Sequence, residues 1–233
     1  MSVGNAPLTW SAPRRKKLAV AGSWAQWLRL AVHLSGRVRR ELAADAVAVE
    51  RLQGEWQGWD DATLDARLHT YRARVRRGEL DEGDDNARSL RIEALAAVSL
   101  AAQRTIERLP YRVQVLAALA MHAGCAVQMA AGEGKTLAVA VAAVLHGWRR
   151  LPCHVVTSND YLAARDVELM RPLYARCSVS VRAVVHETPQ EALPEHYAAD
   201  VVYATSKQLL ADYLRDAIAL EGALDPVRRR IHH

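Results

Sequence analysis

The 233-residue chain is 51% hydrophobic and 24% charged, a balance typical of a folded globular protein rather than a disordered one. Its length suits one large domain or two small ones, and it contains no uncharged apolar run of about 18 residues, so the sequence predicts no transmembrane helix. The net charge of +5 favours an acidic partner such as a membrane surface, nucleic acid or nucleotide, although an arginine-rich composition explains it equally well.

The first residues combine a basic tail with an apolar stripe. Residues 1–17 end in Arg14-Arg15-Lys16-Lys17, and the following stripe has helical spacing: Trp24, Trp27, Leu28, Ala31 and Leu34. The start imitates a secretory signal, but Gln26 and Arg29 interrupt the apolar stretch. Such a helix suits the headgroup layer of an anionic bilayer, or its stripe packs on the rest of the protein.

Residues 18–109 are predicted to be entirely helical, as a segment that packs on the domain that follows. One helix is expected from about Arg37 to Trp56. Asp60 or Asp61 then caps a second helix that ends at Gly78, and a long helix runs from Leu90 to about Leu109, where Pro110 stops it.

The hydrophobic period changes after residue 110. Four short apolar runs are predicted to be strands: Cys125–Met129, Cys153–Thr157, Val179–Val185 and Asp200–Thr205. Helical stretches lie between and after them, at Thr136–Arg149, Tyr161–Ala175 and Ser206–Leu214. Alternating strands and helices predict an α/β fold, a parallel sheet with helices on its faces, over residues 110–233.

The cysteines and histidines give no metal pattern. Cys125, Cys153 and Cys177 are odd in number and lack C-x-x-C spacing, so they are expected to be buried thiols of a reducing compartment. Nine histidines are scattered without a zinc-binding spacing, which argues against a metal site built from them.

A glycine-rich turn follows the first predicted strand and opens a helix: Ala130-Ala131-Gly132-Glu133-Gly134-Lys135-Thr136. Gly132 and Gly134 let backbone amides turn inward around phosphate oxygens, and the helix N-terminus adds about half a positive charge. Lys135 can reach the β- and γ-phosphates, and the Thr136 hydroxyl can ligate Mg²⁺. The full pattern asks for a further glycine where Met129 stands, yet the context predicts a phosphate-binding loop (P-loop).

A glutamine lies upstream of this turn, in Pro110-Tyr111-Arg112-Val113-Gln114. Its amide offers a donor and an acceptor together, which match the edge of adenine. Gln114 therefore indicates ATP as the nucleotide.

Four blocks of this chain resemble the first motor domain of SecA, the bacterial preprotein translocase ATPase. They are the Gln114 segment, Met129–Thr136, the run His154–Asp166, and Tyr203-Ala204-Thr205 with Asp212-Tyr213-Leu214-Arg215-Asp216. The Asn159-Asp160-Tyr161-Leu162-Ala163-Ala164-Arg165-Asp166 run is highly specific to that family, and the resemblance spans roughly residues 25 to 220. It implies a RecA-like, helicase-type P-loop sheet behind a helical N-terminal segment.

The resemblance also implies a site and partners. Gln114, Gly132, Glu133, Gly134, Lys135 and Thr136 would bind ATP, with Lys135 and Thr136 in the catalytic machinery and Thr136 on Mg²⁺. The implied partners are a SecYEG-type channel, an unfolded preprotein, an anionic phospholipid surface and a second copy in a homodimer, with no nucleic acid. The implied location is the cytoplasm, at the inner face of the bacterial membrane.

Departures from the family's pattern qualify these expectations. Ala131, Ala204 and Ala164 stand where the family usually has Thr, Gly and Arg. The sequence ends at His232-His233, before the strand that would carry the acidic (Walker B) motif, so this chain alone is expected not to hydrolyse ATP at a useful rate. The alternatives are a helicase-like nucleic-acid-dependent ATPase module, or a non-catalytic module that docks on a membrane or channel through residues 14–34.

Overall fold

A computed structural model of the chain describes residues 36–81 and 84–219. The basic tail, the tryptophan helix and the terminal His232-His233 lie outside the described residues, and so does the docking segment 14–34. The chain divides into two compact units, residues 1–40 and 41–233. Of the first unit only residues 36–40 are described, as the beginning of a helix.

Four helices form the first part of the described chain: α1 (Gly36–Glu55), α2 (Asp61–Arg76), α3 (Asp85–Ile106) and α4 (Arg112–His122). Two of them begin at aspartate caps. Asp60 Oδ1 accepts a hydrogen bond from Thr63 N at 2.8 Å, and Asp84 Oδ1 accepts one from Ala87 N at 2.7 Å. The second cap explains why α3 begins five residues before the predicted start at Leu90.

The second part alternates helices and strands: α5 (Lys135–Trp148), β1 (Cys153–Thr157), α6 (Asp160–Arg176), β2 (Val181–Val184), a 3₁₀ turn (Gln190–Ala192), α7 (Leu193–Tyr197), β3 (Val201–Thr205) and α8 (Ser206–Ala219). The strands form one parallel sheet in the order β1–β3–β2, with Val201 paired to both Cys153 and Val181. The predicted fold class, a parallel sheet flanked by helices behind a helical segment, is confirmed.

The predicted strand Cys125–Met129 is wrong. The segment pairs with no other strand among the described residues, and all five of its residues are exposed or half-buried. The Cys125 amide instead donates to Ala120 O at 2.9 Å, which closes the end of α4. An apolar run of this kind becomes a strand only where a neighbouring strand supplies hydrogen-bond partners.

One hydrophobic core joins the helical segment from α1 onward to the sheet and its helices. Helix α3 is buried continuously from Ala94 to Ala102, because small side chains allow neighbouring helices to approach it. Trp148 Nε1 donates to Cys177 O at 2.8 Å, and the Tyr174 and Tyr203 hydroxyls share a buried 2.8 Å hydrogen bond. The domain boundaries expected at residues 17 and 109 stay a prediction.

The helices that the structure describes include none long and apolar enough to cross a membrane. The three cysteines form no disulfide, and Cys177 is buried. Burial raises the pKa of Cys177 well above its usual range, so its thiol stays protonated.

Two histidines near the C-terminal ends of α4 and α5 lie together, with the ring centroids of His122 and His146 5.5 Å apart. Burial lowers the pKa of His122 to about 4, and the nearby His146 and Arg91 lower it as well. Burial also lowers the pKa of His146. Both rings are therefore neutral when the protein is folded at pH 7.

We predict that this pair makes the protein acid-sensitive. As the pH falls from about 6.5 toward 4, the His122 imidazole binds a proton in the unfolded chain but not in the folded protein. Over that interval, this linkage at His122 should lower the free energy of unfolding by roughly 3 kcal/mol. Urea unfolding at pH 7 and pH 4.5 measures the loss, which should be smaller in His122→Gln. The exposed His186→Gln is the control, and equal acid losses in wild type and His122→Gln would contradict the prediction.

Candidate functional site

The glycine-rich turn forms a tight bend that ends at the start of α5. Gly132 and Gly134 have φ values of +87° and +74°, in the left-handed region that glycine favours, and Gly134 is the N-cap of α5. The amides of Lys135 and Thr136, in the first turn of the helix, donate to no acceptor within the described part of the chain. Unpaired amides at a helix N-terminus are the groups that bind anions in proteins.

The bend is held by its own polar groups. Lys135 Nζ donates to Ala130 O at 2.8 Å, and Glu133 Oε2 accepts a hydrogen bond from Ala130 N at 2.9 Å. Both side chains belong to exposed residues, so the ammonium group of Lys135 lies at the surface of the bend. A phosphate would compete only with one neutral carbonyl for this ammonium, and a charge-assisted hydrogen bond is about twice as strong as a neutral one.

Gln114 connects the upstream segment to the bend. Its Oε1 accepts a hydrogen bond from Tyr111 N at 2.9 Å, and its Nε2 donates to Glu133 O at 2.8 Å. The side chain is buried and lies so close to Gly134 that a Cβ atom there would be 2.2 Å from Nε2. A glutamine amide has two donor hydrogens and two acceptor lone pairs, so one of each is left for a ligand.

A cavity of about 450 Å³ adjoins Gln114. Its walls are the C-terminal end of α1, the segment 107–111 and Leu137 of α5. Arg112 and Glu50, which form an ion pair with Nε to Oε2 at 2.8 Å, join α4 to α1 beside it. The volume is in the range of small-molecule sites, and Gln114 and Leu137 of α5 both line the cavity.

Comparisons with known proteins identify the family. The model of the SecA DEAD-like domain matches residues 30–232. The chain belongs to the SecA family. It is similar to the "Protein translocase subunit SecA 2" of Magnetococcus marinus, with 42% identity over 85% of this chain and 29% of that protein. It also resembles the SecA 2 of Chlorobium chlorochromatii, with 36% identity over 88% of this chain and 30% of that protein. Its identity to the SecA of Acidithiobacillus ferrooxidans is 35%, over 84% of this chain and 21% of that protein.

The matched part spans less than a third of the length of each of these relatives. The recognition of SecA from its motifs is therefore confirmed, and the parallel sheet is that of its DEAD-like domain. The relatives are translocase subunits by name. The predicted site residues stay a prediction, although the structure gathers all of them around one bend.

Asp166 also lies beside the glycine bend, although the sequence motifs assign it no role. The Thr136 hydroxyl donates to Asp166 Oδ2 at 3.4 Å, and Arg165 donates to Oδ1 from Nε at 3.0 Å and from Nη2 at 2.6 Å. Asn159 begins α6 by accepting from Leu162 N at 2.8 Å, which sets the helix turn that carries Asp166. Its one sequence signal is its place at the end of the Asn159–Asp166 run.

The donor set suits Mg²⁺ held mainly by a nucleotide. Among the described residues no group of three or more His, Cys, Asp or Glu side chains could hold a metal ion. Mg²⁺ commonly keeps several waters and binds through one or two protein oxygens together with substrate phosphates. Thr136 Oγ1 and the neighbouring Asp166 carboxylate fit that mode.

We predict that Gly134→Ala disrupts the site more than Gly132→Ala does. Both positions require a left-handed backbone, which costs a non-glycine residue on the order of 1 kcal/mol. Only at Gly134 would the new Cβ collide with Gln114, and breaking its hydrogen bond to Glu133 O adds about 1 kcal/mol. Denaturant unfolding of the two variants measures the difference.

Gly132→Ala is the matched control, because no atom lies within 4 Å of a Cβ built there. In a Gln114→Ala background the collision is absent, so Gly134→Ala should then cost no more than Gly132→Ala. Equal destabilisation by the two alanines in the wild-type background would contradict the proposed contact.

Proposed function

We propose that this chain is the N-terminal part of a SecA-type motor that binds ATP with Mg²⁺ at the 132–136 bend. The observation that carries the proposal is the bend itself: left-handed glycines, amides at the start of α5 that have no acceptor among the described residues, and the exposed Lys135 with its ammonium group. These groups are the donors that a triphosphate requires. In the whole motor, ATP binding and hydrolysis would drive an unfolded preprotein through a SecYEG-type channel.

The cavity beside Gln114 supports adenine as the base. Adenine would lie against Gln114 and Tyr111, whose side chain is 75% exposed and available to cover a ring. The remaining donor and acceptor of the Gln114 amide would pair with the base edge while its other bonds hold Glu133 O. The Gln114 side chain would thus contact the base and also hold the backbone of the bend that binds the phosphates.

The family membership supports the remaining partners and the location. SecA-type translocation implies an anionic phospholipid surface reached through residues 14–34, a homodimer, and a cytoplasmic protein at the inner face of the membrane. The helicase-like and docking alternatives have no separate observation among residues 36–81 and 84–219 in their favour. We therefore propose ATP-driven preprotein movement as the function of the intact motor.

We predict that Lys135→Ala weakens Mg²⁺–ATP binding by at least about tenfold, because it removes a charge-assisted contact to the phosphates worth about 1.5–3 kcal/mol. Calorimetric titration measures the dissociation constant. Lys207→Ala is the matched control, since Lys207 is the other lysine in the described residues and also lies in the first turn of a helix, α8. Equal affinities of the two variants for ATP would refute the assignment of the bend.

We also predict that the 233-residue chain hydrolyses ATP far more slowly than the roughly 10 s⁻¹ of a typical enzyme. The two carboxylates that hydrogen bond at the bend are already engaged, Glu133 with Ala130 N and Asp166 with Thr136 and Arg165. Both carboxylates contact protein groups, whereas a general base must contact the attacking water. A phosphate-release assay tests this, and turnover near 10 s⁻¹ that Lys135→Ala abolishes would disprove it.

A further inference from the structure

Three arginines from two parts of the chain are near enough to repel one another electrostatically, close to the start of strands β1 and β3. Arg72 and Arg76 belong to the C-terminal half of α2, and Arg150 follows α5 shortly before β1. Burial lowers the pKa of Arg76, and the positive charges of Arg72 and Arg150 lower it as well, whereas Asp200, just before β3, opposes them. We name Arg72, Arg76 and Arg150 the arginine cluster.

The arginine cluster lacks the carboxylate partners that neighbouring arginines have. Arg74 and Arg77 both pair with Glu79, and Arg149 pairs with Asp81. No hydrogen bond or ion pair joins a cluster guanidinium to another residue that the structure describes. The Nε atoms of Arg72 and Arg76 are buried without an acceptor, and a buried donor left unpaired costs about 1–3 kcal/mol.

The nearest acidic group does not neutralise the cluster. Asp200 Oδ2 accepts hydrogen bonds from the amide and the hydroxyl of Ser180, each at 2.8 Å. The C-terminal ends of α2 and α5 add about half a negative charge each, which favours a cation nearby. Three guanidinium groups against one carboxylate and two helix ends still leave an excess of about one positive charge.

Arg150 is held in a conformation that glycine would adopt without strain. Its φ is +59°, and it comes directly after Arg149, the C-cap of α5, where helices commonly have glycine. A left-handed arginine costs on the order of 1 kcal/mol. An arginine is therefore present at residue 150 despite the backbone strain and despite the electrostatic repulsion from Arg72 and Arg76.

We propose that the arginine cluster binds a phosphate-type oxyanion at a site separate from the nucleotide bend. Guanidinium groups present paired N–H donors that match phosphate oxygens, and those of the arginine cluster have no carboxylate partner among the described residues, unlike those of Arg74, Arg77 and Arg149. The bend lies at the opposite end of α5, whose 14 residues span about 21 Å. The phosphate could be a soluble ion or ester, or the headgroup of an anionic lipid.

Arg150→Gly tests the proposal, because it removes one guanidinium group and relaxes the backbone. In a Lys135→Ala background, which suppresses phosphate binding at the bend, the thermal midpoint is measured with inorganic phosphate and with chloride at equal ionic strength. Arg150→Gly should raise the midpoint in chloride. It should also weaken phosphate binding at least about tenfold, the worth of one charged hydrogen bond.

Ser178→Gly is the matched control. Ser178 has a φ of +53° directly after Cys177, the C-cap of α6, so glycine relieves a similar strain without removing a charge. It should raise the midpoint and leave the phosphate response intact. Arg76→Gln, a second cluster variant, should lose the response as Arg150→Gly does, whereas Arg77→Gln should keep it.

Vesicle binding distinguishes the two sources of phosphate. Co-sedimentation with phosphatidylglycerol vesicles that is weaker for Arg150→Gly than for Ser178→Gly, with no such difference for phosphatidylcholine vesicles, supports a lipid headgroup. A response to inorganic phosphate without this difference between the variants supports a soluble phosphate. The proposal is overturned if Arg150→Gly lowers the midpoint in chloride, or if neither phosphate nor vesicle binding differs between Arg150→Gly and Ser178→Gly.

Discussion

Helix α5 fixes the position of two features of the fold, the glycine bend at its first turn and Arg149 with Arg150 at its end. Ten of its 14 residues are buried, and it packs against α4, the sheet and the helical segment. Gly147 fixes its approach to the strands, since a Cβ there would be 2.9 Å from Val179 Cγ1. An enclosed helix cannot slide or turn without opening the core, so its first turn holds the glycine bend in place and its end holds Arg149 and Arg150.

Gln114 is the second constraint, because it couples segments that are 19 residues apart along the chain. Its hydrogen bond to Glu133 O ties the start of α4 to the bend, and its bond to Tyr111 N ties the bend to the cavity wall. A ligand that binds the Gln114 amide would therefore also act on the backbone of the glycine bend. This coupling gives a physical reason for a glutamine at this position beyond recognition of a base, and it explains why only glycine fits at residue 134.

The sequence could predict the features that depend on neighbouring residues. Strands β1 and β3, the cap at Asp60 and the glycine bend follow from local patterns, and the structure has them within one or two residues of the predicted bounds. Cys125–Met129 failed because a strand needs a partner that its own sequence does not specify. Asp166 was missed as a partner of Thr136 because 30 residues separate them, and only the packing of α6 on the sheet region brings them together.

The net charge is a further property whose origin the composition alone does not explain. The sequence has 31 basic residues against 26 acidic ones, which fits either an acidic partner or an arginine-rich composition. The structure shows that many arginines are already paired with carboxylates, as Arg104 and Arg176 are with Asp61 and as Arg88 is with Asp45. Pairs of this kind cancel charge locally. The excess positive charge is therefore not spread evenly along the sequence: residues 1–35 contain five basic residues, Arg14, Arg15, Lys16, Lys17 and Arg29, and no acidic one, which equals the net charge of +5 of the whole chain.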